Sequence, residues 1–286
     1  MRAWIAAALL AVCAAGPATA QGLTGTLQKI DAAGAIVLGH RESSPPFSFV
    51  DKDKQPAGYS VDLCLRVVEA VRQRLGRPDL QVRWVALEAE ERLPKVIDGS
   101  IDLECGNTTV TLAREEQVDF SRMTFITGAS LLTAAGSTIQ GVGDLGGKRV
   151  AVVAGTTTEA SLRARLAKSM VAATVVPVED HDKAMKMLEK GEVDAHSGDQ
   201  IVLIGLARAA KDPAKFGLAP ELFTYEPYAL VVRRNDADFR LVADRTLAQL
   251  YRSGEIAQIY DKWFGDWGGR PSQLLLAMFA LNGIPE

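Results

Sequence analysis

Ala35-Ile36-Val37-Leu38-Gly39 runs into His40-Arg41-Glu42-Ser43-Ser44-Pro45-Pro46-Phe47-Ser48-Phe49, and Ile101-Asp102-Leu103-Glu104-Cys105 runs into Gly106-Asn107-Thr108-Thr109. Each is of strand length, the first apolar throughout and the second alternating apolar with acidic residues, and each gives way to polar groups. Between them, apolar residues recur at Val61, Leu65, Val68, Val71 and Leu75, near the helical period, with Ser60 as the expected N-cap and Gly76 and Pro78 as the stop. Strand, helix, strand repetition predicts an open, largely parallel α/β sheet. In such sheets ligands sit beyond the carboxyl ends of the strands. There the first segment offers a guanidinium and the second a cluster of short hydrogen-bonding side chains, which together suit a small anionic molecule.

The alternation continues outward. A strand is expected at 81–87 and a short helix at 88–98, closed by Gly99, with Pro94 either interrupting it or marking its true first turn. A second unit begins near Asp144-Leu145-Gly146-Gly147-Lys148. Its strand at 149–154 leads into Gly155-Thr156-Thr157-Thr158-Glu159, where Thr156 and Glu159 have capping-box spacing. Strands at 174–178 and 193–196, a helix at 182–190 and a helix opened by Asp199 follow. A strand at 229–233 and helices at 236–252 and 256–264 end the pattern. Residues 125–134 link the two units and 225–232 return to the first. The reading is a signal segment at 1–20, one lobe from 21–128 plus 228–286, and a second lobe from 129–227, with two crossovers forming a hinge.

A chain of 286 residues is long enough for two ordinary domains. A net charge of −3 argues against non-specific nucleic-acid binding and against a polybasic membrane surface. Met1-Arg2, an apolar run at 3–15 and Ala18-Thr19-Ala20 read as a signal peptide cleaved after Ala20. Val12 stands where a lipoprotein signal at Cys13 would need a small residue. Cleavage leaves Cys64 and Cys105, which in an oxidising compartment are either a disulfide or two separate buried thiols.

In order along the chain, His40-Arg41-Glu42-Ser43-Ser44, Gly58-Tyr59-Ser60, Arg92-Leu93-Pro94, Glu104-Cys105-Gly106-Asn107-Thr108-Thr109, Gly155-Thr156-Thr157-Thr158-Glu159, Asp180-His181 and Trp263-Phe264 resemble the periplasmic solute-binding proteins of polar amino-acid ABC transporters, family 3. Within them the chain is most similar to the glutamate/aspartate-binding subgroup. The resemblance implies the type II periplasmic binding protein fold, in which two Rossmann-like lobes close on one amino acid.

Read alone, Arg114 is a solvated helix charge. By resemblance it forks onto the ligand's α-carboxylate, which a lysine cannot do. Gly155, Thr156 and Thr157 form an ordinary helix cap or a general anion site. The resemblance makes Thr156 and Thr157 contacts to the same carboxylate from the second lobe. Asp199 is a first-turn acid favoured by the helix dipole, or by resemblance the partner of the ligand's ammonium, with Asn107 and Thr109 beside it. Arg41, Arg92 and His181 match positions that contact a distal carboxylate. His40 and His196 are read as ordinary satisfied histidines. Asn107 and Ala89 replace hydroxyl residues of close relatives, which leaves the glutamate-versus-aspartate preference open. Phe47, Phe49, Tyr59 and Tyr228 are expected in the core, with Tyr228 the best candidate to wall the pocket. Trp263, Phe264 and Trp267 are expected to pack the terminal helix.

The expected function is capture of L-glutamate or L-aspartate by an exported monomer and delivery to a membrane ABC permease. No cofactor, metal or nucleic acid is expected. The alternatives are an enzyme on the same fold, related to cyclohexadienyl dehydratase, or the ligand-binding subunit of a sensor. Against an enzyme, the sequence holds no Ser-His-Asp elbow, and the expected cleft is dominated by arginines.

Overall fold

The computed structural model describes residues 22–267 and 270–286; the signal-peptide reading therefore lies outside the described residues. Among the described residues the strands form two five-stranded sheets and a small three-stranded one. The first sheet runs Gln81–Ala86, Ala35–His40, Leu103–Glu104, Glu226–Arg233, Val118–Thr127. The second runs Thr174–Val178, Arg149–Val153, Ala195–Asp199, Ala129–Ala134, Phe216–Leu218. The fold is the expected two-lobed α/β architecture.

The sheets are mixed rather than largely parallel. In the first, Ala35–His40 pairs in parallel with both neighbours, but Glu226–Arg233 is antiparallel to Leu103–Glu104 and to Val118–Thr127. In the second, Ala129–Ala134 is antiparallel to Ala195–Asp199 and to Phe216–Leu218. The antiparallel strands are the crossovers. Val118–Thr127 leaves one sheet, and after Gly128 the chain enters the other as Ala129–Ala134, so no helix separates them. A strand that returns without a crossover helix runs antiparallel.

Local chemistry corrects several expected boundaries. The helix expected from Ser60 begins at Tyr59. Gly58 has φ +135 and lies so close to the Phe47 carbonyl that a Cβ would collide with it. The first amides, of Tyr59 and Ser60, donate to the carbonyls of Pro46 and Phe47 at 2.8 and 2.9 Å, so backbone oxygens replace the serine cap. The strand at 101–105 shrinks to Leu103–Glu104 because the Asp102 carboxylate accepts from the Val37 N–H at 2.8 Å and pairs with Lys29 at 2.7 Å. The helix at 88–98 is Arg92–Ile97, with Pro94 in its first turn, where a missing N–H costs nothing. A further helix, Gln273–Asn282, packs on Val118–Thr127 and on Ala237–Ser253. It is apolar on all faces and so carries no amphipathic period.

Cys64, on the helix Tyr59–Leu75, is bonded to Cys105. This fastens the first-lobe helix to the loop that begins after Glu104. At the hinge, the buried Phe47 ring lies 4.9 Å from Phe125 and 5.1 Å from Tyr228, and Phe125 stacks on Phe264 at 5.2 Å. Each such fully buried ring contributes roughly 2 kcal/mol of hydrophobic stabilisation. Together they hold both crossover strands against the terminal helices.

Candidate functional site

Between the sheets, one polar cavity is lined from the first lobe by Arg41, Ser44, Ala89, Arg92, Asn107 and Thr109. From the second it is lined by Val153, Thr156, Thr157, Thr158, His181, Ser197, Gly198 and Asp199. Most of the residues expected to bind ligand therefore face one space. Arg114 and Tyr228 are not among the lining residues; each touches one that is. Arg114 Nη1 donates to the Thr109 carbonyl at 2.7 Å, and the Tyr228 hydroxyl donates to Asp199 Oδ2.

Arg41, just after the strand Ala35–His40, and Arg92, the first residue of the helix Arg92–Ile97, are both buried. The Arg41 guanidinium donates to the Leu87 carbonyl and stands 3.6 Å from the half-exposed Glu88 carboxylate. Arg92 spends Nε on the Ala89 carbonyl at 3.0 Å and Nη1 on the Thr108 hydroxyl at 2.7 Å. Burial, then the neighbouring Arg92 charge, lowers the pKa of Arg41 to about 10 and that of Arg114 to about 10. Clustered, partly desolvated cations of this kind are stabilised by an anion. The buried carboxylate of Glu104 lies within their field; burial raises its pKa and the Arg92 charge opposes that rise.

Asp199 does not act as a helix cap, although it stands at the N-cap position. Its Oδ1 accepts from the Thr158 hydroxyl at 2.8 Å while Oδ2 accepts from Tyr228. Burial and the nearby Glu226 charge raise its pKa to about 6. Glu226 is a site residue that the sequence did not flag. Its Oε2 accepts from the hydroxyls of Thr109 at 2.6 Å and Thr157 at 2.9 Å, one from each lobe. Strand alternation puts Glu226 and Tyr228 on one face, which was the available signal.

The Gly155–Glu159 loop is already committed in part. Thr156 caps its helix by accepting from the Glu159 amide at 3.1 Å and donates its hydroxyl to the Val153 carbonyl at 2.7 Å. The Glu159 carboxylate reaches back to the Gly155 N–H at 3.0 Å rather than to Thr156, so the expected capping box closes one residue early. The Gly155 amide is therefore not a free anion donor. Gly155 (φ +69) also packs so tightly on the Glu90 side chain that a Cβ would clash.

His181 donates its backbone N–H to the Ser43 hydroxyl at 3.3 Å, across the lobes. Its Nδ1 lies 2.9 Å from His196 Nε2, and His196 Nδ1 lies 3.3 Å from the Ala151 carbonyl. His196 is thus satisfied as expected, yet it also touches a cavity residue. The arrangement offers buried guanidiniums for carboxylates, buried carboxylates for an ammonium, and hydroxyls from both lobes to exclude water.

Residues 36–266 match the bacterial extracellular solute-binding proteins, family 3. The chain is 40% identical over 261 residues to the L-glutamate/L-aspartate-binding protein of Pseudomonas aeruginosa, covering 91% of this chain and 86% of that one. It is 38% identical over 239 residues to the glutamate/aspartate import solute-binding protein of Salmonella typhimurium, covering 84% and 79%. Among solved structures, the ancestral amino acid-binding protein AncCDT-1, described as a precursor of cyclohexadienyl dehydratase, is similar with a TM-score of 0.74 and 26% identity, covering 84% of this chain and all of that one. With the match spanning both lobes and the cavity between them, the chain belongs to the bacterial extracellular solute-binding proteins, family 3.

Proposed function

We propose that this protein captures an acidic L-amino acid, glutamate or aspartate, in the periplasm and delivers it to a membrane ABC permease. The carrying observation is that buried cations (Arg41, Arg92) and a buried acid (Asp199) line the same cavity. A zwitterion with a second carboxylate needs both signs, because a buried charge left unpaired costs several kcal/mol. The names of the similar proteins from Pseudomonas aeruginosa and Salmonella typhimurium support the same ligand class.

In this reading Arg41, Arg92 and His181 take the distal carboxylate. Arg114, Thr156 and Thr157 take the α-carboxylate, with Arg114 moving inward from the Thr109 carbonyl. Asp199, backed by Glu226 and with Asn107 and Thr109 beside it, takes the ammonium, and Tyr228 orients Asp199. The lobes are 21–128 plus 228–286 and 129–227. Binding draws them together about the Gly128 crossover and the 226–233 return, and the closed monomer is what the permease recognises. Export is directed by a signal peptide that is cleaved after Ala20.

Calorimetric titration with L-glutamate, L-aspartate, L-glutamine and prephenate tests this. One-to-one binding of glutamate or aspartate, with glutamine far weaker, is expected. Binding or turnover of prephenate without binding of either acid would replace the proposal by an enzyme related to the dehydratase lineage of AncCDT-1.

A further inference from the structure

His196 has no role in a simple carboxylate clamp, and the hydrogen bonds of the His181–His196 pair fix its protons. The Ala151 carbonyl can only accept, so His196 Nδ1, 3.3 Å away, carries a hydrogen. A neutral His196 then has a bare Nε2. His181 Nδ1, at 2.9 Å from that nitrogen, must be the donor. A neutral His181 is left with a bare Nε2, and its ring lines the cavity. A bare nitrogen repels a carboxylate.

We propose that His196 is a positioning residue that holds His181 in the tautomer whose cavity-facing nitrogen lacks a proton, so that capture of a ligand's second carboxylate takes up one proton from solution. This rests on the dicarboxylate reading above and adds a proton to it. The competing route, a concerted tautomer switch, would aim the bare Nδ1 of His196 at the Ala151 carbonyl. His196 and Ala151 are register partners in adjacent parallel strands, so neither can turn away.

The surroundings agree. His196 is fully buried and His181 nearly so. Burial pushes His196 down to about 4, and burial, His196, Arg41 and Arg92 push His181 well below the ordinary imidazole value, so both are neutral at pH 7. The charged groups facing His181 from the first lobe are Arg41 and Arg92; on its own segment Asp180, Asp182 and Lys183 adjoin it. Asp199 ends the strand that carries His196. Around the cavity, Arg41, Arg92 and Arg114 are matched in number by Glu104, Asp199 and Glu226. A bound amino dicarboxylate adds one net negative charge, which a proton on His181 balances.

The test is titration of the protein with L-glutamate at pH 7.5 in phosphate and in Tris, whose ionisation enthalpies differ, so that the apparent enthalpy reports protons exchanged. Uptake close to one proton per glutamate is expected, with affinity falling about tenfold from pH 7 to pH 8. His196→Phe frees His181 to carry its hydrogen on Nε2, so glutamate still binds and uptake falls toward zero. His181→Gln, whose amide donates without protonation, removes the uptake as well and serves if His196→Phe does not fold. Tight glutamate binding with no proton uptake by the unaltered protein overturns the proposal. So does undiminished uptake in either variant, which would place the proton on Glu104 or Asp199. Failure of both glutamate and aspartate to bind at all would overturn the proposed function, and this inference with it.

Discussion

The Tyr228 hydroxyl donates a hydrogen bond to the Asp199 carboxylate, tying the returning crossover strand to the second lobe at the edge of the cavity. Tyr228 is itself fixed by Phe47 at 5.1 Å and by stacking on Phe125 at 6.4 Å. The hinge core thereby sets the direction in which the acid points.

Tyr228→Phe keeps the ring packing and removes that donor. A hydrogen bond to a charged group contributes about 2 kcal/mol, so glutamate affinity should fall roughly thirtyfold with little change in melting temperature. Calorimetry and thermal unfolding of the same variant check this. An unchanged affinity would show that Thr158 alone positions Asp199.

Arg41 and Arg114 should separate by ligand. Arg41→Met removes a cavity cation assigned to the distal carboxylate, so glutamate binding should weaken by at least a hundredfold while its advantage over glutamine disappears. Arg114→Met should abolish binding of every α-amino acid. Titration of both variants with glutamate and glutamine distinguishes the outcomes, and an Arg41→Met protein that still prefers glutamate moves the distal subsite elsewhere.

The Cys64–Cys105 bond closes a separation of 41 residues. Chain entropy alone assigns a loop of that length about 4 kcal/mol. For a protein of this size that is roughly 10 °C in melting temperature. Thermal unfolding with and without a thiol reductant measures it; equal midpoints, with the thiols shown by alkylation to be free, would rule the contribution out.

His196 should make the protein acid-sensitive. Its pKa is pushed down to about 4 in the folded chain. Folding is favoured by the neutral ring above pH 6.5, and this contribution is lost as pH falls through the window from 6.5 to about 4, amounting to about 3 kcal/mol in full. Asp199 works in the opposite sense, because its raised pKa favours the folded state on acidification. The clean observable is therefore a difference: denaturant unfolding of the unaltered protein should lose stability relative to His196→Phe as pH drops from 7 to 5. Parallel curves would contradict a neutral, buried His196.

Much of the fold was legible because hydrophobic period and strand-end polarity are local properties. The 35–39 strand, the helix ending at Gly76 and the second-lobe strand at 149–153 need no distant partner to be recognised. Antiparallel pairing was not legible, since it depends on where a crossover strand returns. The helix Gln273–Asn282 escaped because it is apolar on every side and shows no period. Cys64 and Cys105 suggested a bond, but only their juxtaposition between a helix and a strand end makes one.

The site divides in the same way. Local order along the chain made the charged side chains available, with Arg41, Arg92, Asp199 and His181 each at the end of a strand or the start of a helix, where an open α/β sheet delivers ligands. Tertiary structure decided which of them share one cavity and which stand behind it. It brought Glu226 from the return strand against hydroxyls of both lobes, and placed His196 against His181. Those relationships are contacts between segments far apart in the chain. Their physics is burial and proton placement, which a residue acquires from its neighbours in space and not from its neighbours in sequence.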